Sequence, residues 1–263
     1  MNRQSSSPLA RIDDRGDRLV VVNMNARRRG ALSPDLYAAI REAAAGSTEA
    51  RIRALILTAE GGFFCAGGDL NALIERQSMA EDERRAMIER LHDVIRAIRG
   101  ARVPVIAAVE GGAAGAGLSI ALACDLIVAA EGAQFTAAYV KAGLVPDGGL
   151  TAAMARSLPR PLASEMCLLA RPVSAERMAE LGVVNRVVAP GTAEAEAMAL
   201  ADALAAGPRH AQAEIKAMLG RAYDQPEALQ LDVERDAMAR ATGSPEAAEG
   251  ISAFLEKRPP SFP

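Results

Sequence analysis

The sequence contains no tryptophan, and its aromatic side chains, five phenylalanines and three tyrosines, make up only 3% of the chain. A surface that stacks on bases needs aromatics interleaved with basic residues, and this composition cannot supply one. The charges nearly balance at a formal −3, so no positive field would gather a polyanion. No nucleic-acid partner is expected. The cysteines, Cys65, Cys124 and Cys167, are odd in number and show no CxxC spacing, which argues against a disulfide framework and against a zinc site; no metal is expected. The longest apolar runs, such as VIAAVEGGAAGAGLSIALAC, are broken by Glu110 and by glycines, so no membrane span is expected either. The N-terminal MNRQSSSPLARIDDRGDR lacks the apolar core of a secretory signal. With cysteines suited to a reducing compartment, it predicts a cytoplasmic protein. Histidine is scarce, with only His92 and His210. Neither GxSxG nor GxxxxGK[ST] occurs, so a hydrolase triad or a P-loop finds no support. GGAAGAGLS lacks the third glycine of a dinucleotide fingerprint, because Ile120 stands there.

What the chain does have is a 50% apolar composition, so its core must come from Ala, Val, Leu, Ile and Met. At 263 residues it can bury a large core as one domain, or as a domain with an appendage. Strand-like runs, LVVVNMN, ALILTA, VPVIAAVEG, DLIVAA and VVNRVVA, alternate with helical patterns. Ser33 followed by Pro34 predicts a capped helix start. A long amphipathic helix is expected over Glu81–Arg99 and a small-residue helix over Gly115–Cys124. From Ala193 on the pattern is Ala-rich and helical, with GP (Gly207, Pro208) and QP (Gln225, Pro226) as helix boundaries. The predicted organisation is therefore a mixed α/β body over residues 1–192 and a helical region over 193–263.

Two glycine-rich loops stand out. GGFFCAGGDL (Gly61–Leu70) puts four glycines, two phenylalanines and a carboxylate into ten residues after a strand. About fifty residues later, EGGAAGAGLS also follows a strand and opens a helix. Bare backbone beside a helix N-terminus offers N–H groups to a negative atom. Either loop alone reads as a tight turn; the pair in this order does not.

FFCAGGDL and AVEGGAAGAGLSIALACDLIVA together resemble the crotonase family, the enoyl-CoA hydratase/isomerase superfamily. The likeness continues through FTAAYVKAGLVPDGGLTAAMAR and LLARPVSAERMAELGVVNRVV to AFLEKR, covering almost the whole chain in order. The resemblance implies an α/β fold, a superhelix of ββα turns, with a helical C-terminal region that packs trimers, often paired into hexamers. It implies an acyl-CoA thioester as substrate, so that coenzyme A belongs to the substrate and no separate cofactor is needed. The thioester oxygen would sit between the backbone N–H groups of Gly68 and Ala116, where preformed donors stabilise an enolate. Adenine would lie against the backbone near Ala66. Phosphate neutralisation would come from Arg27 and Arg28 in the RRR run that ends at Arg29, and from Lys257 or Arg258 of the same or a neighbouring subunit. GAL (Gly30–Leu32) stands where the family usually has NAL.

The chemistry departs from that of the hydratases. Their two water-activating glutamates fall on Ser119 and Tyr139 here, and neither hydroxyl is an ordinary base near neutral pH. One carboxylate remains, Asp147 in GLVPDGG, where family isomerases acting on unsaturated acyl-CoA, including those of phenylacetate breakdown, use an aspartate as proton shuttle. Double-bond isomerisation with Asp147 as the shuttle is therefore the leading expectation. Taken alone, Asp147 also reads as a turn residue capping the helix after Gly149. Three other readings stay open: a hydratase with another water-activating group, an aryl-CoA dehalogenase using Asp147, His92 and Tyr139, and a non-catalytic acyl-CoA binder.

Overall fold

The computed structural model describes residues 7–263; the first six residues of the N-terminal segment considered above lie outside the described part. Five of the expected strands build the main sheet. β1 (Ala10–Asp14) is a sixth, which the sequence reading had not separated; it runs antiparallel to β2 (Arg18–Asn23). β3 (Ala54–Ala59), β4 (Val105–Val109), β6 (Leu126–Ala130) and β9 (Arg186–Val188) then add in parallel, giving the order β1-β2-β3-β4-β6-β9. The central strands are buried on both faces, which is why VIAAV and ALILT read as unbroken apolar runs rather than as alternations.

A second, three-stranded sheet has the order β5-β7-β8, from β5 (Gly112–Ala114), β7 (Gln134–Thr136) and β8 (Val173–Ser174). β4 feeds β5 and β6 feeds β7, so each turn of chain lays one strand in each sheet before a helix returns it. That is a spiral of ββα turns. Cys65 pairs with Ala113 in an isolated parallel bridge and so brings the first glycine loop alongside the second. Two- and three-residue strands with little alternation gave the sequence no means to reveal this second sheet.

Helices cover both faces. α1 (Pro34–Gly46) starts as predicted: Ser33 Oγ accepts from the Leu36 N–H at 3.1 Å, with Pro34 at the first helical position. Its buried stripe of Leu36, Ala39, Ile40 and Ala43 packs into the main core beside α3 (Glu81–Gly100), which contributes Leu91, Val94, Ile95 and Ile98. α2 (Leu70–Arg76) follows the first glycine loop and α4 (Ala116–Ala121) the second. Past β7, a 3₁₀ turn over Ala138–Ala142 leads through the VPDGG loop to α5 (Leu150–Ser157) and α6 (Arg160–Leu169); α7 (Ala175–Glu180) links β8 to β9.

The helical C-terminal part comprises α8 (Ala193–Ala205), α9 (Arg209–Arg221), α10 (Glu227–Thr242) and α11 (Pro245–Glu256), and its members behave differently. α8 lays Ala193, Ala197 and Ala201 on the face formed by Val20, Val22, Ile56, Ile106 and Val128. Small side chains every four residues allow a helix to approach a sheet closely. Buried Arg18 fixes the contact, donating to the Met198 carbonyl at 2.9 Å and pairing with Asp202 at 2.6 Å. α8 thus completes the body's second core, while α9–α11 stand beyond it.

Candidate active site

The two glycine loops meet. Gly67 has φ +91°, and a Cβ there would lie 2.8 Å from the Ala114 carbonyl oxygen and 3.1 Å from the Ala116 nitrogen. A Cβ at Gly117 would fall 2.3 Å from the Cys65 carbonyl oxygen. Both glycines are needed so that α4 can press against the strand segment carrying Cys65. Among the described residues, neither the Gly68 nor the Ala116 N–H donates to a protein acceptor. Two neighbouring loops therefore each leave one unspent donor, the arrangement that an oxyanion requires. Burial pushes the Cys65 thiol behind them up to about 12, against the opposing hydrogen bond from Gly67, so it stays a neutral packing group.

A hydroxyl network stands beside these donors. Tyr139 Oη donates to Asp147 Oδ1 at 2.8 Å. Ser119, on α4 and 2% exposed, lies 3.2 Å from Tyr139 Oη and donates to the Asp147 backbone carbonyl at 3.0 Å. Burial, and next the adjacent Asp147 charge, push the Tyr139 phenol up, so it remains protonated and can only donate to the carboxylate. The Asp147 side chain does not cap α5, whose N-cap is Gly149 with no side-chain hydrogen bond. No hydrogen bond reaches Asp147 Oδ2 among the described residues, so one carboxylate oxygen is held and the other is free.

Two groups escaped the sequence reading. Tyr37, on the core-facing side of α1, has its phenol pushed up by burial and then by Asp147 and Cys65, with Arg76 opposing. It lies near enough to Asp147 for that charge to act on its phenol. A tyrosine in the apolar stripe of a chain so poor in aromatics was the available signal. Arg76, the last residue of α2, has an Nε that is shielded from solvent and meets no acceptor. In sequence it was an ordinary cation at a helix C-terminus, and nothing set it apart.

The basic residues divide. The Ala66 N–H donates to the Arg29 carbonyl at 3.0 Å, which places Ala66 against the arginine run. Arg28 pairs with Asp69, the N-cap of α2, and Arg29 stacks on the Phe63 ring at 3.9 Å. Arg27 forms no ion pair among the described residues. Lys257 and Arg258 are not brought to the site by their own chain. They end α11, and the chain terminus beyond them returns to the start of β3, where Arg53 donates to the Pro263 carbonyl at 3.3 Å. The glycine loop leaves the other end of that strand. Arg258 is already bound to Glu249 at 2.7 Å and Glu256 at 2.6 Å, and this pairing, with the Ser261 N–H next, pulls Glu249 down to about 2.

His92 Nδ1 lies 3.3 Å from Glu89 Oε2 on its own helix and, among the described residues, makes no hydrogen bond to Asp147 or Tyr139. The backbone N–H of His210 is capped by the Glu246 carboxylate at 2.9 Å.

Residues 14–263 match the family described as enoyl-CoA hydratase/isomerase. A 1,2-epoxyphenylacetyl-CoA isomerase of Escherichia coli K12 is 39% identical over 212 residues, 80% of this chain and 81% of its own length. A probable enoyl-CoA hydratase of Rhodobacter capsulatus is 35% identical over 247 residues, 94% of this chain and 91% of its own. A crystal structure of an enoyl-CoA hydratase from Polaromonas sp. JS666 superposes with a TM-score of 0.93 at 43% identity, covering 97% of this chain and 99% of that one. The chain belongs to the enoyl-CoA hydratase/isomerase family, the crotonase superfamily of enzymes acting on acyl-CoA thioesters. Its fold is the crotonase-like α/β body with a helical C-terminal region.

Proposed function

We propose that this protein is an acyl-CoA double-bond isomerase in which Asp147 moves a proton from one carbon of the bound acyl chain to another. One observation carries the reading: both positions that hold glutamates in the hydratases hold hydroxyls here, and both hydroxyls bond to Asp147. In this mechanism the thioester oxygen accepts from the Gly68 and Ala116 N–H groups. Proton removal turns the acyl group into an enolate whose charge those donors hold, and the N-terminus of α4 adds its positive dipole. Asp147 takes the proton on its free oxygen, while Tyr139 and Ser119 fix the carboxylate and its loop. The same carboxyl then returns the proton further along the chain. Because the acceptor and donor are one group, no water is required. The similarity to the E. coli 1,2-epoxyphenylacetyl-CoA isomerase supports isomerisation of an acyl-CoA as the broader class.

The nucleotide part of coenzyme A lies along Ala66 and Arg27 in this reading. The protein assembles as a trimer or a dimer of trimers, and Lys257 reaches a phosphate from the neighbouring subunit, while Arg258 stays on Glu249 and Glu256.

Asp147→Asn keeps the size and the hydrogen bond from Tyr139 but removes the base. Turnover of 3-enoyl-CoA to 2-enoyl-CoA should fall about a hundredfold or more, while binding of a saturated acyl-CoA stays within about twofold. Rapid hydration of 2-enoyl-CoA that survives Asp147→Asn would move the protein to the hydratases, with water activated by another group.

A further inference from the structure

The two oxyanion donors are aimed by different means. The Gly115 carbonyl belongs to the same peptide as the Ala116 N–H. It accepts from the Leu118 N–H at 2.9 Å and the Ser119 N–H at 3.3 Å, so the first turn of α4 holds that peptide. The Gly67–Gly68 peptide precedes α2 and has no such support. Its carbonyl accepts instead from the Leu32 N–H at 2.8 Å, a residue on the segment between β2 and α1. The peptide is trans and planar, with its C=O and N–H pointing in opposite directions. Anchoring the carbonyl on Leu32 therefore turns the Gly68 N–H the other way and fixes its direction.

The Leu32 N–H is held in the same manner. Its peptide partner, the Ala31 carbonyl, accepts from Asn25 Nδ2 at 2.8 Å. Asn25 is 7% exposed, and its own backbone N–H donates to Oδ1 of buried Asn23 at 3.1 Å. Asn23 Nδ2 donates to the next carbonyl back, that of Gly30, at 2.7 Å. Gly30 has φ +67°, and a Cβ there would lie 2.6 Å from the Phe64 carbonyl oxygen, so only glycine lets this segment lie so close to the glycine loop. One unbroken chain results: Asn25 amide, Ala31–Leu32 peptide, Gly67–Gly68 peptide. Hydrogen bonds in such a chain polarise one another, which strengthens the last donor as well as aiming it.

We propose that Asn25 is a positioning residue for the reaction, the head of a hydrogen-bond chain that runs through the Ala31–Leu32 and Gly67–Gly68 peptides and ends on the thioester oxygen. The inference rests on Gly68 as an oxyanion donor, but not on which proton Asp147 moves.

The test is infrared difference spectroscopy of bound hexanoyl-CoA labelled with carbon-13 at the thioester carbonyl, alongside 3-enoyl-CoA turnover. Two variants cut the chain. Asn25→Leu removes its head at similar size, and an ester in place of the Ala31–Leu32 amide removes the Leu32 N–H while keeping every side chain. Urea stability is followed for both, and the ester still carries the test if Asn25→Leu misfolds. In the unmodified protein the carbonyl band should lie below its position in water. Each folded variant should lose at least half of that downshift. Its kcat and kcat/KM should fall together by about tenfold to a hundredfold, the scale of a misplaced contact, with KM and free coenzyme A affinity within about twofold. An unchanged band in either folded variant overturns the proposal, whatever happens to kcat. An equal loss of coenzyme A affinity overturns it in favour of a role at the nucleotide end. No downshift in the unmodified protein would remove the oxyanion reading of Gly68 itself, and the proposal with it.

Discussion

The spiral body and the last three helices solve the problem of apolar side chains in opposite ways. In the body, the strands of the main sheet are covered on one face by α1, α3 and their neighbours and on the other by α8, and residues such as Val20, Ile56 and Ile106 are fully buried. In α9–α11 the buried residues are Lys216, Ala237, Glu246 and Ala253, two of them charged. Their large apolar side chains face outward instead, with Leu219 68% exposed, Leu255 74% and Phe254 82%. Polar anchors hold these helices to the body. Lys216 Nζ donates to the Ile98 and Val103 carbonyls at 3.0 and 3.1 Å and pairs with Asp125 at 2.7 Å. Arg209 donates to the Ile52 and Ser47 carbonyls, and Glu246 caps the start of α9. The body is a finished core, and the last helices are half of one. An apolar surface of that extent usually marks an interface, whereas the groups proposed to react sit on the self-sufficient part.

The sharpest way to break this division is to strike the chemistry without touching the packing. Gly68→Pro deletes one N–H from the oxyanion site, in a loop where a Cβ meets only Leu73 Cδ1, at 3.7 Å. Loss of one such donor costs about 3 kcal/mol in the transition state, so kcat should fall by two to three orders of magnitude while urea stability and oligomer mass hold. A folded variant with full kcat would remove Gly68 from the mechanism.

A comparable energy in the other region should act on stability. Lys216→Ala leaves Asp125 and two buried carbonyls without their cation, and breaking a buried pair this way costs about 3 kcal/mol. Urea titration followed by circular dichroism should show the loss, and hydrogen exchange should rise in α9 before it rises in β3 or β4. Uniform loss of protection would mean that α9 and the body unfold as one unit, erasing the distinction.

The smallest expected change tests the exposed face alone. Phe254→Ser with Leu255→Ser alters side chains that touch little within the protomer, so the monomer fold should lose less than about 1 kcal/mol. If α11 lies at a subunit contact, light scattering at micromolar concentration should show a lower mass than for the unmodified protein. An unchanged mass would place the contact elsewhere on α9–α11.

Most of the main sheet was legible because its central strands are apolar on both faces and its helices carry ordinary caps, as at Ser33. The small sheet was not, since a segment such as Gly112–Ala114 carries no periodicity of its own. The oxyanion loops were legible as a pair through their glycines. Asp147 was legible only as a carboxylate with two readings, a cap or a base, and its bond from Tyr139 favours the second. Ser119 was legible only as a hydroxyl where the hydratases have a glutamate, and its bond to the Asp147 carbonyl needed the fold.

What the sequence determined by itself was therefore whatever depends on local pattern: strand and helix runs, turn glycines, an Ala-rich helical tail, and the absence of a glutamate pair. Only the tertiary structure decided that α8 belongs to the body, that Arg258 is spent on Glu249, and that Ser119 and Tyr139 meet Asp147. The α8 contact joins Arg18 to Met198, 180 positions apart, the Ser119 contact spans 28 and the Arg258 contact nine. Whether a charge is free or paired depends on which neighbour the fold brings within hydrogen-bond reach, and no local pattern records that distance.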